Sequence, residues 1–450
     1  MTRSRWAAPG LVSGISLAVT ALIGLPIPHG AALSHSAIPA FARKYRTSCS
    51  TCHVAFPKLN VLGEAFRLNG YRFPDNDELL RADAPVALGS PEWADLWPRA
   101  IMPSDLPEIF PLAARIISDA SLSFDDGSDS ELRFPNEVYL LAGSTFGSNL
   151  SAFLETEWTD ADGLEVLQAK VGVADVIPGL PSGALNLWLG QLNPYLFSFA
   201  DRQVDRAAVA KFAWQTFAPR DLASVSDASD FALGTQLAGV ELNGFIAGRL
   251  HYGVGVAQLP GSTAEPIGRD PQSYVKLRLK LGGLGVDGRY MGDAEPVFGG
   301  GGQLQDRSLI VEGFGYFGED RDRPGFGSDF AWGLNARMLN GPADFGLGYV
   351  RARRDVVTTA LQSTELSYQS LFGKLEYTVY PWLIVSLKAE RFGVQATETA
   401  SWEWETKTMP GVIALVRHNF RVVLEGQFID EAPAIPAAGN AVVVRTEIAF

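Results

Sequence analysis

From about residue 112 to the end of the chain, apolar and polar side chains alternate with a period of two. Val275, Leu277, Leu279 and Leu281 interleave with Lys276, Arg278 and Lys280, and Leu375, Tyr377 and Val379 interleave with Lys374, Glu376 and Thr378. Leu383, Val385, Leu387 and Ala389 form another apolar row, with Ser386, Lys388 and Glu390 on the opposite face. Successive side chains of a strand point to opposite sides, so each segment predicts a strand with one greasy and one charged face. A soluble antiparallel sandwich shows the same alternation. Aromatic residues near segment ends (Trp158, Tyr252, Tyr290, Trp332, Tyr349, Tyr380, Trp382, Phe392) favour a membrane barrel instead, because its strands carry aromatic girdles at both interfaces. The closing segment agrees: Val442, Val444, Thr446, Ile448 and Phe450 alternate with Val443, Arg445 and Glu447. Its terminal aromatic resembles the signal read by outer-membrane assembly machinery. At roughly 20 residues per strand and loop, residues 112–450 predict an all-β fold, a transmembrane antiparallel β-barrel of about 16 strands.

The first quarter of the chain reads differently. Arg3 and Arg5, an apolar run from Leu11 to Leu25, then prolines and small residues predict a signal peptide over residues 1–36. From Lys58 to Leu68, the apolar residues Leu59, Leu62 and Phe66 recur at helical spacing, with Lys58, Glu64 and Arg67 on the other side. Asn69-Gly70 supplies a stop. A proline- and acid-rich stretch with Trp93 and Trp97 follows, and residues 79–111 are expected to form an irregular connector.

Within this region lies Cys49-Ser50-Thr51-Cys52-His53. Two thiols three positions apart with a histidine directly after them, in an exported chain, read as a c-type haem attachment site. Both cysteines can add across the vinyl groups of one porphyrin, with His53 as the proximal iron ligand. A dithiol redox pair needs a thioredoxin-like context and a zinc site needs two further ligands at matching spacing. Neither context is visible, since these are the only 2 cysteines and the next histidine downstream is His251. The one methionine of the head segment, Met102, is the candidate distal ligand; an open sixth position is the alternative.

The string Pro39-Ala-Phe-Ala-Arg43, the Cys49/Cys52/His53 motif, Phe56-Pro-Lys-Leu-Asn60, Gly63 and Asn69-Gly-Tyr71 resembles the N-terminal segment of the fused monohaem cytochrome-porins of bacterial outer membranes. That group includes proposed iron oxidases. The resemblance spans about 35 residues. It implies a small, mainly α-helical cytochrome c segment over residues 37–78, carrying one covalent haem c and joined to a barrel in the same chain.

Composition narrows the function classes. The chain has 50 acidic and 37 basic residues and no basic block, so no nucleic-acid partner is expected. A hydrophobic content of 47% excludes a disordered chain, and no apolar run after residue 30 is long enough for a membrane helix. No phosphate-binding glycine motif, nucleophile elbow or helical His-Glu-x-x-His is present, which leaves hydrolase and nucleotide chemistry unsupported. The expected partners are outer-membrane lipid, periplasmic c-type cytochromes and an extracellular metal or redox partner. The expected activity is electron transfer across the outer membrane. A porin with a structural or redox-sensing haem plug, and a soluble periplasmic monohaem carrier with a β-domain, are the alternatives. The gap from Pro194 to about Asp230 is expected to be an ordinary solvated loop, with donor contact or folding into the lumen as the alternatives.

Overall fold

The computed structural model describes residues 40–73, 77–80, 86–87, 92–96, 105–106, 112–124, 130–146, 149–161, 163–197, 209–218, 232–258, 272–289, 306–319, 328–357, 363–430 and 439–450. The expected signal peptide, Met102, Tyr290 and most of the connector lie outside the described residues.

Sixteen antiparallel strands close into one barrel. They are β1 Leu112–Ser123, β2 Ser130–Phe146, β3 Leu150–Thr159, β4 Gly163–Val173, β5 Asn186–Leu192, β6 Leu237–Ile246, β7 Leu250–Gln258 and β8 Gln272–Gly282. The second half runs β9 Arg307–Glu319, β10 Ser328–Asn340, β11 Ala343–Val357, β12 Ser363–Tyr380, β13 Leu383–Gln395, β14 Glu403–Arg417, β15 Phe420–Asp430 and β16 Ala441–Ala449. Every strand pairs with its sequence neighbours, and β16 closes on β1 from Ala441↔Ser123 to Ala449↔Arg115. Closure leaves no unpaired edge, the condition for strands to sit in lipid.

The usual burial pattern is inverted. Leu154, Val171, Leu242, Val254, Leu277, Leu334, Leu347, Leu375, Leu387 and Leu424 are exposed on the outside, whereas Lys276, Arg278, Lys280, Arg337, Lys374, Glu376, Lys388 and Glu390 are buried inside. An apolar belt around a charged lumen is a membrane barrel, which overturns the soluble-carrier alternative. The protein is therefore placed in the bacterial outer membrane and in contact with its lipid. Opposite the largest luminal side chains stand glycines: a Cβ on Gly255 would lie 2.1 Å from the Tyr274 ring, so the gap lets that ring lie flat on the wall. Tyr380 and Trp382 stack at 5.6 Å on the exposed outer surface, as expected of a girdle. Phe392 does not belong there. It is 1% exposed inside the lumen, packed on Phe217 and Tyr368, because it falls on the charged face of β13 rather than the greasy one.

Five of the seven connections at the end that carries Leu112 and Ala449 are only two or three residues long. The opposite end carries the 193–236 connection. In outer-membrane barrels the short turns are periplasmic. Residues 209–218 of the long connection fold back into the outer half of the lumen. There Glu425 accepts from the N–H groups of Val209 and Ala210 at 2.9 and 2.8 Å, and Glu390 from those of Ala213 and Trp214 at 2.5 and 3.2 Å. Phe197, Phe212, Trp214 and Phe217 pack there against Phe314, Tyr368, Phe372 and Phe392. Asp201, Arg202, Asp205, Arg206 and Arg220 of the same connection lie outside the described residues.

Candidate haem pocket

The head segment lies inside the periplasmic half of the lumen. A short helix, α1 Ala40–Lys44, leads to a 3-10 turn at Cys49–Thr51, then to a small hairpin pairing His53–Ala55 with Lys58–Leu59, and then to helix α2 Val61–Leu68. The helix therefore starts at Val61 rather than Lys58. Asn60 explains the start: its Oδ1 accepts from the N–H of Gly63 at 2.9 Å, a cap worth about 1 kcal/mol. Its Nδ2 donates to the carbonyls of Ser50 and Thr51 at 3.2 and 3.0 Å. One asparagine thus ties the helix to the cysteine motif. Gly63 makes the approach feasible, since a Cβ there would sit 2.2 Å from the Cys52 carbonyl oxygen.

The tight turn, closed by the N–H of Cys52 donating to the carbonyl of Cys49 at 3.2 Å, sets Cys49, Cys52 and His53 along one cavity. Both thiols are free, and burial raises their pKa values, that of Cys52 to about 12. His53 Nδ1 lies 3.1 Å from the Pro57 carbonyl oxygen. A carbonyl only accepts, so Nδ1 carries the proton. Burial lowers the pKa to about 4, which keeps the ring neutral and leaves Nε2 with a bare lone pair. A backbone carbonyl that fixes the tautomer in this way is the usual support for a metal-ligating histidine.

The cavity holds about 1300 Å³ of space, including its solvent mouth. Phe41, Tyr45, Phe66, Tyr71 and Phe73 of the head line it, together with Leu141, Gly143 and Phe153 of the barrel wall. Phe41 stacks on Tyr71 at 5.3 Å, and Tyr71 stacks on Phe153 at 4.7 Å, so head and barrel share one aromatic layer. Arg67 and Arg115 bring positive charge to a lining that is otherwise mainly apolar. These walls can hold an apolar macrocycle through two thioether bonds and one imidazole nitrogen.

Ion pairs dock the head. Lys58 Nζ donates to Asp344 Oδ2 at 2.7 Å and also reaches Glu376. Glu64 pairs with Arg337 at 2.7 Å and with Arg278 at 3.4 Å. Burial works against the charge of Glu64, but Arg337 and Arg278 outweigh it and hold the carboxyl below its ordinary range. The polar face of α2, which alternation alone would leave in water, is thus spent on the barrel wall. Tyr45 and the N–H of Phe73 both donate to Asp77 Oδ1, at 2.7 and 2.9 Å, fixing the far end of the segment.

Cys49, Cys52 and His53 come together as expected. No methionine and no second histidine lines the cavity among the described residues. Met338 faces outward, Met409 is buried in the outer aromatic cluster, and His251 is buried against Phe245. Tyr45, Tyr71, Phe153 and Arg115 were not predicted as site residues. Of these, only Tyr45 and Tyr71 lie near the motif, where aromatic density was a usable signal.

No protein-family model and no curated protein sequence matches the chain. Solved structures do. The Salmonella typhi OmpF complex with daunomycin superposes with a TM-score of 0.51 at 11% identity, covering 76% of this chain and 98% of that one. The fold is that of porin-like outer-membrane barrels. An anion-selective porin from Comamonas acidovorans (TM-score 0.50, 14% identity) and a loop-deletion mutant of OmpT from Vibrio cholerae (TM-score 0.50, 14% identity) each cover 75% of this chain and 98% of their own. At these identities the likeness is one of fold.

Proposed function

We propose that this barrel is an outer-membrane electron-transfer protein holding one covalent haem c in the inner half of its lumen. The observation that carries the proposal is the juxtaposition of Cys49, Cys52 and a carbonyl-fixed His53 on one mainly apolar cavity inside the barrel. Cys49 and Cys52 would hold the group covalently and His53 Nε2 would ligate its iron. When bound, the haem supplies a reversible one-electron centre. Phe41, Phe66, Tyr71 and Phe153 line the cavity and would keep water from the bound group, and the Pro57 carbonyl holds the His53 imidazole. The electrons pass between an extracellular donor or acceptor, ferrous iron being one candidate, and periplasmic c-type cytochromes, which meet the short-turn end. Met102 remains the proposed distal ligand.

The porin-like fold favours a second reading, a channel plugged by its haem segment. Against it stand the two fillings of the lumen, the head in the inner half and residues 209–218 in the outer half. Val54 of the head and Val209 of the loop even share one small cluster with Ile384, Ile413 and Val423. Liposomes that enclose an electron acceptor and carry the purified protein separate the readings when an external reductant is added. Electron entry without solute leakage fits electron transfer; leakage without electron entry fits the channel.

A further inference from the structure

A second cavity, with about 350 Å³ of space including its solvent mouth, lies between α2 and the barrel wall at β4, β5, β6 and β8. Its lining brings three cations, Arg67, Lys170 and Lys276, against one carboxylate, Glu241. Glu241 is already satisfied: it accepts from Tyr274 at 2.7 Å, Lys276 at 2.8 Å and Asn243 at 3.0 Å. Lys276 also donates to the Pro194 carbonyl at 2.5 Å. Lys170 is different. It is only 7% exposed, no hydrogen bond or close ion pair joins its ammonium to the described residues, and the carboxylates of Glu241 and Glu155 act on it only through space. It sits instead among four rings, 4.6 Å from the centroid of Trp188, 5.5 Å from Tyr195 and 5.6 Å from both Tyr71 and Phe153. Ring faces attract a cation but accept none of its three N–H bonds in the way an oxygen or halide does. A buried ammonium that meets no acceptor among the described residues is costly, and the adjoining cavity, lined by three cations and one carboxylate, is the place for one.

The geometry points to a small-anion site centred on Lys170, taking a halide or a single carboxylate group. This deepens the haem proposal without depending on it. Arg67 lines both cavities, and Tyr71 and Phe153, two of the rings around Lys170, line the haem cavity, so the two spaces are neighbours. The anion therefore has two sources: the solvent, or the carboxylate groups that a haem carries on its edge. In either case the site places a negative charge beside the redox centre and locks α2 to the wall.

The test compares melting midpoints of the full-length protein in bromide and in isethionate, a bulkier sulfonate, at equal ionic strength, using the haem-loaded chain and the haem-free C49A/C52A variant. Selective binding to the folded state raises the midpoint as bromide increases. In the haem-free variant the midpoint should rise with bromide, the rise should vanish when Lys170→Met is added, and Lys170→Arg should retain it. Heat-modifiable migration in detergent gels checks that each variant is a closed barrel, and Lys170→Gln replaces Lys170→Met if the latter does not close. A rise in the loaded chain as well identifies a solvent anion. A rise in the haem-free chain alone identifies the porphyrin carboxylate, and both outcomes support the site. No bromide dependence with Lys170 present, or a dependence that survives its removal in a closed barrel, overturns it. A wild-type chain that carries no porphyrin defeats the haem proposal separately, while the bromide series still judges the anion site.

Discussion

Lys58 of the head reaches Asp344 at the start of β11 across a separation of 286 residues, and the 2.7 Å contact is buried on both sides. Neither charge has water to fall back on. Without Lys58, Asp344 keeps its two 2.9 Å bonds to Arg337 but Glu376 is left with Lys374 at 3.8 Å, and removing one partner of a buried charge cluster of this kind costs up to about 3–5 kcal/mol. Lys58→Met should therefore undock the head while the barrel stays closed. Limited proteolysis should cut within residues 40–73 of the variant, and detergent gels should still show a heat-modifiable barrel.

Gly63 is where helix and haem motif meet, and a methyl group there would collide with the Cys52 carbonyl at 2.2 Å. That oxygen belongs to the backbone and has no flexible end to swing away. Overpacking of this kind costs about 1–3 kcal/mol and shifts the main chain. Gly63→Ala should lower the amount of haem per chain severalfold, read from absorbance against protein concentration, with barrel yield unchanged.

The pH dependence of docking follows from Glu64. Its folded pKa is held below the ordinary 4.5 by Arg337 and Arg278. Between the folded and unfolded values the unfolded chain binds more protons, so stability increases with pH through that window. The contribution is complete above about pH 4.5 and is lost as acid titrates the carboxyl through its folded value. Protease sensitivity of the head should rise below pH 4.5 in the wild type, and Glu64→Gln should be equally sensitive on both sides of that point.

The outer filling makes its own prediction. Glu390 and Glu425 accept four backbone N–H groups of residues 209–214 and hold that stretch across the lumen. Planar-bilayer recordings of the wild type should show little ion current. The E390A/E425A variant, in which four donors lose their acceptors, should conduct severalfold more.

Much of the fold was legible because the physics is local. An alternation of two residues must place Leu277 and Lys276 on opposite faces, and only a closed sheet in lipid rewards greasy side chains outside and charged ones inside. Phe392 escaped because a lone aromatic near a strand end looks the same whether it meets lipid or a plug. The motif at Cys49, Cys52 and His53 was legible because its chemistry lies within five residues. The barrel half of the pocket was not: Gly143 and Phe153 lie about a hundred residues from Phe41 and Tyr71, and no pattern within the chain announces which wall will receive the head. The same holds for Glu64, whose partners Arg278 and Arg337 stand more than two hundred residues away.

The most direct test is the intact mass and visible absorbance of the protein purified from outer membranes and denatured. One haem added to the mature polypeptide, with a Soret band that survives denaturation and is absent from C49A/C52A, is the expected result. A closed barrel whose mass is that of the polypeptide alone would contradict the account.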